Sequence, residues 1–169
     1  MTRDPQKSLS DIPLPGLMEI ATEALFVEFR TELEAAGYAD IRPTHGCVFR
    51  FVREDGMRLT DLASLAGMTK QSIGEIVDDL TDRDYVQRIP DPADRRAKLI
   101  CLTEKGEQAQ RVGYGLFGQL EQRWGERFGA DRVAAMRDLL EEIARTEAPA
   151  MVPELSEAAK SPLAEPAAA

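Results

Sequence analysis

At 169 residues the chain is long enough for one domain with a packed core, or for a small domain with an appended dimerisation module. Its formal net charge is −9, from 21 Lys and Arg against 30 Asp and Glu, so any binding to a polyanion has to come from local placement of cations. No apolar run is long enough to cross a bilayer, and polar Met1 to Ser10 lacks a signal-peptide core, which points to the cytoplasm, with Cys47 and Cys101 as buried free thiols.

Residues 1–16, with Pro5, Pro13, Pro15 and Gly16, read as a flexible N-terminal arm. A helix is predicted over 17–36, with Leu17, Ala21, Ala24, Leu25, Phe29 and Leu33 on one side, ending at Gly37. It has little core of its own to cover, so part of its apolar side is expected to meet a second subunit. Pro43 and Thr44 start a second helix that carries His45, Cys47, Val48, Phe49, Phe51 and Val52 and ends near Asp55 and Gly56. His45 is the only histidine and reads as a capping or packing residue; zinc needs three or four ligands, so no metal is expected. Cys47 lacks a paired cysteine and a cationic cluster, which leaves little support for a redox role.

Met57, Arg58 and Leu59 can supply a short strand. Thr60 is then predicted to cap a helix that runs through Leu65 and stops at Gly67. Thr69 caps a further helix whose buried face is Ile73, Ile76, Val77 and Leu80. Opposite that stripe lie Gln71, Gly74, Glu75 and Asp78, with Lys70 and Ser72 on the flanks of the first turn. Tyr85 to Ile89 alternate as a strand, Pro90 and Pro92 exclude a helix, and Leu99 to Leu102 return, so Arg95, Arg96 and Lys98 sit near a hairpin tip. That order of elements is a winged helix.

Thr103 caps a long helix over 103–128 with Ala109, Val112, Leu116, Leu120, Trp124 and Phe128 as its buried stripe. Gly113, Gly115 and Gly118 interrupt it at about 1 kcal/mol each relative to alanine, which predicts a bend or the close approach of another helix. Asp131 is predicted to cap a last helix over 131–146, where Val133, Met136, Leu139, Leu140 and Ile143 form a stripe that seeks a partner. Residues 147–169, with Pro149, Pro153, Pro162 and Pro166 among alanines and glutamates, read as a disordered tail.

Leu59 to Gly67, Met68 to Leu80, and above all Asp91-Pro-Ala-Asp-Arg-Arg-Ala-Lys-Leu-Ile-Cys-Leu-Thr-Glu-Lys-Gly106 resemble the MarR family of winged-helix transcriptional regulators. The resemblance covers roughly residues 17–146. It implies a mostly α fold with a small β-sheet: a DNA-reading winged helix-turn-helix over about 57–103, plus dimerisation helices at 17–36, 103–128 and 131–146. It also implies a homodimeric repressor that presents two recognition helices about 34 Å apart to double-stranded DNA, at a near-palindromic operator. The DNA-binding residues it suggests are Thr69, Lys70, Gln71, Ser72, Gly74, Arg88, Arg95, Arg96 and Lys98. Of these, Gln71 would pair with adenine, Arg96 would enter the minor groove, and Arg95 and Lys98 would lie on the backbone. Asp94 would orient the wing by holding Arg96 through a charge-assisted hydrogen bond.

The chain departs from the family pattern at Glu75 and Asp79, where basic residues are common, and at Asp84, which replaces a glycine but tolerates left-handed backbone. Acids facing DNA would make binding selective but salt-sensitive. Release by a small aromatic or anionic effector is also implied, in a pocket lined by Phe26, Phe49, Tyr114 and Phe117, although aromatics at helical spacing more often form plain core.

Two other classes compete. From Arg53 to Lys105 nine Lys or Arg face eleven Asp or Glu, so a winged-helix protein-interaction module with weak or no DNA binding is the alternative. An enzyme is the weakest reading: there is no Gly-rich phosphate loop, no Cys/His ligand set and no Ser, His and Asp arrangement, so neither catalytic residue nor cofactor is expected.

Overall fold

The structure, a computed structural model, describes residues 9–149. Half of the expected N-terminal arm, residues 1–8, and nearly all of the expected tail, residues 150–169, lie outside the described residues; the rest of the arm is not irregular, since Leu9–Asp11 form a 3-10 turn and Leu14 opens the first helix. The fold is mostly helical with one small antiparallel sheet, a winged helix set among longer helices.

Helix α1 spans Leu14–Ala35 and starts three residues before the predicted Leu17. Pro15 lies in its first turn, where a missing N–H is harmless and the fixed φ suits a helix. Gly37, at φ +93°, ends the run. A 3-10 turn, Pro43–His45, leads into α2, Gly46–Phe51. This helix stops well short of Asp55, because Val52 is extended and buried, and the Gly56 N–H closes a turn onto the Arg53 carbonyl at 3.0 Å.

Strand β1, Met57–Arg58, runs straight into α3, Leu59–Leu65. Arg58 is its N-cap residue and no side chain caps it, so the predicted role of Thr60 fails: its hydroxyl lies inside the first turn and donates to Asp61 at 3.4 Å. In α4, Lys70–Asp82, the predicted cap is present, with Thr69 Oγ1 accepting the Ser72 N–H at 3.1 Å. Asp84 does adopt left-handed backbone, at φ 62°, which lets the Tyr85 N–H return to the Leu80 carbonyl at 2.9 Å.

Strands β2, Val86–Pro90, and β3, Lys98–Leu102, pair from Val86 opposite Leu102 to Pro90 opposite Lys98, with β3 central in the order β1-β3-β2. Residues 91–97 therefore form the wing. Helix α5, Glu104–Phe128, is capped by Thr103, which accepts the Gly106 N–H at 3.1 Å. Helix α6, Ala130–Glu147, follows Gly129 at φ +101°. That glycine makes the break and occupies the cap position, so Asp131 sits within the first turn instead of capping it, still at the favourable end of the helix dipole.

Val48, Leu62, Ile73, Val77, Leu80, Tyr85, Val86 and Ile100 are sealed in one core shared by α2, α3, α4 and the sheet. Gly106 joins α5 to that core, and a Cβ there would overlap the Tyr85 carbonyl oxygen. Helix α1 lies across α5, where Arg123 binds Glu28 at 2.8 Å and Glu32 at 3.2 Å. The close approach predicted at the α5 glycines occurs at Gly113, whose Cβ position is 3.7 Å from Phe29; nothing lies within 4 Å of that at Gly118. Leu14, Met18 and Val27 on α1, and Met136, Leu139, Leu140 and Ile143 on α6, remain exposed.

Candidate nucleic-acid interface

Burial of Ile73, Val77 and Leu80 sets the rotation of α4, which leaves Lys70, Gln71, Glu75 and Asp78 outward. Ser72 shares a 2.8 Å hydroxyl contact with Thr69, and Gln71 Nε2 donates to Glu75 at 3.3 Å. Gly74 departs from the expected outward face: its Cβ position is 3.9 Å from Leu59, so it seats α4 against α3.

Two of the four acids of α4, Asp78 and Asp79, pair with nearby cations. Asp78 pairs with Arg88 at 2.7 Å, which separates Arg88 from the wing-tip cations with which the sequence groups it. Asp79 turns toward the linker before α2. Its Oδ2 meets His45 Nε2 at 2.8 Å and Arg42 at 3.5 Å, and its Oδ1 accepts from Arg83 at 3.0 Å. The Arg83 hydrogen bond holds this carboxyl below the usual range. Asp79 is thus a structural hub and not an acid presented to a ligand of the outer face. The next layer is also charged: Tyr85 donates to Asp40 at 2.7 Å, and Arg83 and Lys105 flank the same carboxylate at 3.9 and 4.0 Å.

The wing is held by two aspartates. Asp91 is 5% exposed; its Oδ2 accepts Arg58 Nε at 2.7 Å and Nη2 at 2.5 Å, while its Oδ1 accepts the Ala93 N–H at 2.8 Å. The Ala93 N–H and the Arg58 guanidinium hold the Asp91 carboxyl below its ordinary range. Asp94 Oδ1 accepts the backbone N–H of Arg96 at 3.0 Å. The expected link between Asp94 and Arg96 therefore exists, but it runs through the main chain, because the short Asp side chain folds back two residues as an Asx turn does. Arg95, Arg96 and Lys98 are exposed, and among the described residues none makes an ion pair or a side-chain hydrogen bond.

Sequence reading missed Asp91 and Arg58 as a pair. Asp-Pro is a turn-starting signal that pointed at Asp91, whereas nothing local marks Arg58, 33 residues away.

A cavity of about 500 Å³ lies between α1, α2 and α5 and is lined by all four aromatics singled out above: Phe26, Phe49, Tyr114 and Phe117. Phe29, missed from sequence, stacks on Phe117 with centroids 4.1 Å apart, and Phe26 meets both edge-on. Arg30, Arg42 and Arg50 add positive charge to the lining. Cys47 is on the wall, its thiol donating to the Thr44 carbonyl at 3.2 Å, and burial pushes that thiol up, away from the reactive thiolate. No helix among the described residues is long and apolar enough to cross a membrane.

Residues 39–97 match the model of the MarR family. The chain is 31% identical over 95 residues to the exopolysaccharide II synthesis transcriptional activator ExpG of Rhizobium meliloti (strain 1021), a match covering 56% of this chain and 49% of that protein. The chain thus spans about half the length of that relative. With the HTH-type transcriptional regulator FarR of Neisseria gonorrhoeae it shares 28% identity over 137 residues, 78% of this chain and 88% of FarR. Among solved structures, CouR from Rhodococcus jostii RHA1 bound to p-coumaroyl-CoA superposes with a TM-score of 0.63 at 26% identity, over 83% of this chain and 97% of CouR.

Proposed function

We propose that this chain, which matches the MarR family model over residues 39–97, is a homodimeric, sequence-specific regulator of transcription, a repressor that binds duplex DNA through α4 and the wing. The observation that carries the reading is the contrast in charge: Lys70, Arg95, Arg96 and Lys98 are exposed without ion-pair partners, while Asp78 and Asp79 are paired with cations of the chain itself. An unpaired cation at a hairpin tip can displace DNA counterions even though the whole chain carries −9. The same pairing weakens the case for a protein-interaction module, since it removes two carboxylates from the supposed acidic face.

In this proposal the first turn of α4, Thr69 to Ser72, enters the major groove, with Lys70 on phosphate and Gln71 released from Glu75 to meet a base edge. Arg96 reaches the minor groove while Arg95 and Lys98 contact the backbone. Gly74 and Arg88 serve indirectly, by seating α4 on α3 and by neutralising Asp78. Helices α1, α5 and α6 form the dimer interface, supported by the exposed apolar residues on α1 and α6. The aromatic cavity, with Arg30 on its lining, suits a small aromatic anion as effector, as CouR's bound p-coumaroyl-CoA illustrates for a relative. The protein acts in the cytoplasm by binding, with no turnover.

Selection of random duplexes on the purified protein tests the reading. Enrichment of an inverted repeat with half-sites about one helical turn apart is the expected result; no enrichment at low salt contradicts it.

A further inference from the structure

His45 is the only histidine of the chain and is 1% exposed, on the turn that joins the linker to α2. Both ring nitrogens are engaged. Nδ1 accepts the Arg42 backbone N–H at 3.1 Å, and Nε2 donates to Asp79 Oδ2 on α4 at 2.8 Å. Because the Arg42 amide can only donate, these two bonds select the neutral tautomer with its proton on Nε2. The charged groups around the ring are Asp79 from α4, Arg83 just past its C-terminus and Arg42 from the linker; Asp40, also from the linker, faces Arg83 at 3.9 Å and Lys105 of α5 at 4.0 Å. Burial and the two guanidiniums outweigh the attraction of Asp79 and hold the imidazole below its ordinary range.

We propose that His45 is a proton-operated latch between the Arg42–His45 turn and the recognition helix, which opens on acidification and thereby weakens DNA binding. A proton from solvent adds to the Nδ1 lone pair, which is the acceptor for Arg42. The new N–H then faces the Arg42 N–H, donor against donor, on a ring that is shut off from bulk solvent. The turn has to open to relieve this contact. Opening moves Arg42 away from Asp79 and loosens the hub that ties α4 to the linker. The latch stands on this geometry alone; only its effect on DNA rests on the regulator reading.

The chain offers a clean test, since no other side chain ordinarily titrates between carboxylates and thiols. In the full-length protein, NMR from about pH 7.5 to about pH 5 should show the His45 imidazole, the Arg42 amide and the amides of α4 moving with one shared midpoint, below the ordinary histidine value of about 6.5. His45→Asn keeps an acceptor for Arg42 and His45→Gln keeps a donor for Asp79; neither titrates, so both should remove the shared transition. An imidazole that protonates while Arg42 and α4 stay unmoved overturns the latch, and so does a wild type whose Arg42 and α4 amides respond to pH no differently from those of His45→Asn. A duplex recovered by selection should bind the wild type about tenfold more weakly below the midpoint that NMR finds for His45 than at about pH 7.5, and the variants equally at both. Equal wild-type affinity at both pH values overturns the coupling to DNA. Failure to recover any duplex counts against the regulator reading, and the NMR titration still decides the latch.

Discussion

Arg58 and Asp91 are joined by two hydrogen bonds, at 2.7 and 2.5 Å, across 33 residues of chain, which ties the edge strand β1 to the first residue of the wing. The other oxygen of Asp91 holds the Ala93 N–H, so one carboxylate sets both the position of the wing and the turn that begins it. A wing held this way presents its arginines without first having to order them.

Asp91→Asn keeps the size of the side chain and removes its charge. We expect the protein to stay folded and its affinity for a selected duplex to fall about tenfold through loss of wing preorganisation. Fluorescence anisotropy alongside a thermal melt separates the two effects; unchanged affinity would detach the Arg58 pair from DNA binding.

Gly106→Ala puts a methyl group into the Tyr85 carbonyl oxygen, a backbone atom that cannot swing aside. The expected loss is about 1–3 kcal/mol in urea unfolding, as for other overpacked sites. Gly118→Ala meets nothing within 4 Å and should instead stabilise α5 by about 0.5–1 kcal/mol.

Acid should destabilise the protein in two stages. His45 has a folded value below its unfolded one, so the stability it contributes is complete above about pH 6.5 and is lost as the pH falls from there toward its folded value. Asp79 and Asp91 are depressed as well, chiefly by the Arg83 hydrogen bond and the Ala93 N–H, so their contributions persist above about pH 4 and disappear below it. Urea midpoints measured across this range should show both stages, and His45→Asn should lack the first.

Leu139 and Ile143 are exposed on α6, four residues apart and so on one face. Replacing both by Glu should turn the dimer into a monomer by light scattering, with helix content retained and DNA affinity reduced by at least about tenfold, since two half-sites would no longer be held together. A dimer that survives the double substitution would place the interface elsewhere.

Much of the fold is legible from local signals. Thr69 and Thr103 cap helices as predicted because each stands directly before an apolar periodic run with nothing competing for the position. Thr60 and Asp131 do not, because β1 leads straight into α3 and Gly129 supplies the break before α6. The hairpin that carries Arg95, Arg96 and Lys98 follows from Pro90, Pro92 and the returning apolar strand, whereas the cavity beside Phe26, Phe49, Tyr114 and Phe117 was implied only by the family resemblance, since their spacing alone favours plain core. What was not readable is pairing at long range: Arg58 with Asp91, His45 with Asp79 and Arg88 with Asp78 are chosen by tertiary packing, and those pairs decide which charges remain available. Net charge therefore exaggerated the obstacle to DNA binding, since it counts paired acids as though they were free.

The unpaired cations of the wing carry the proposed DNA contact, and salt dependence measures them directly. With a duplex recovered by selection, the slope of log affinity against log salt should become shallower by about 0.9 for each wing cation lost from each half-site, so Arg95→Ala, Arg96→Ala and Lys98→Ala together should flatten it strongly while the dimer stays folded. A triple variant with the wild-type slope and affinity would mean that the wing does not touch DNA, and would contradict the account.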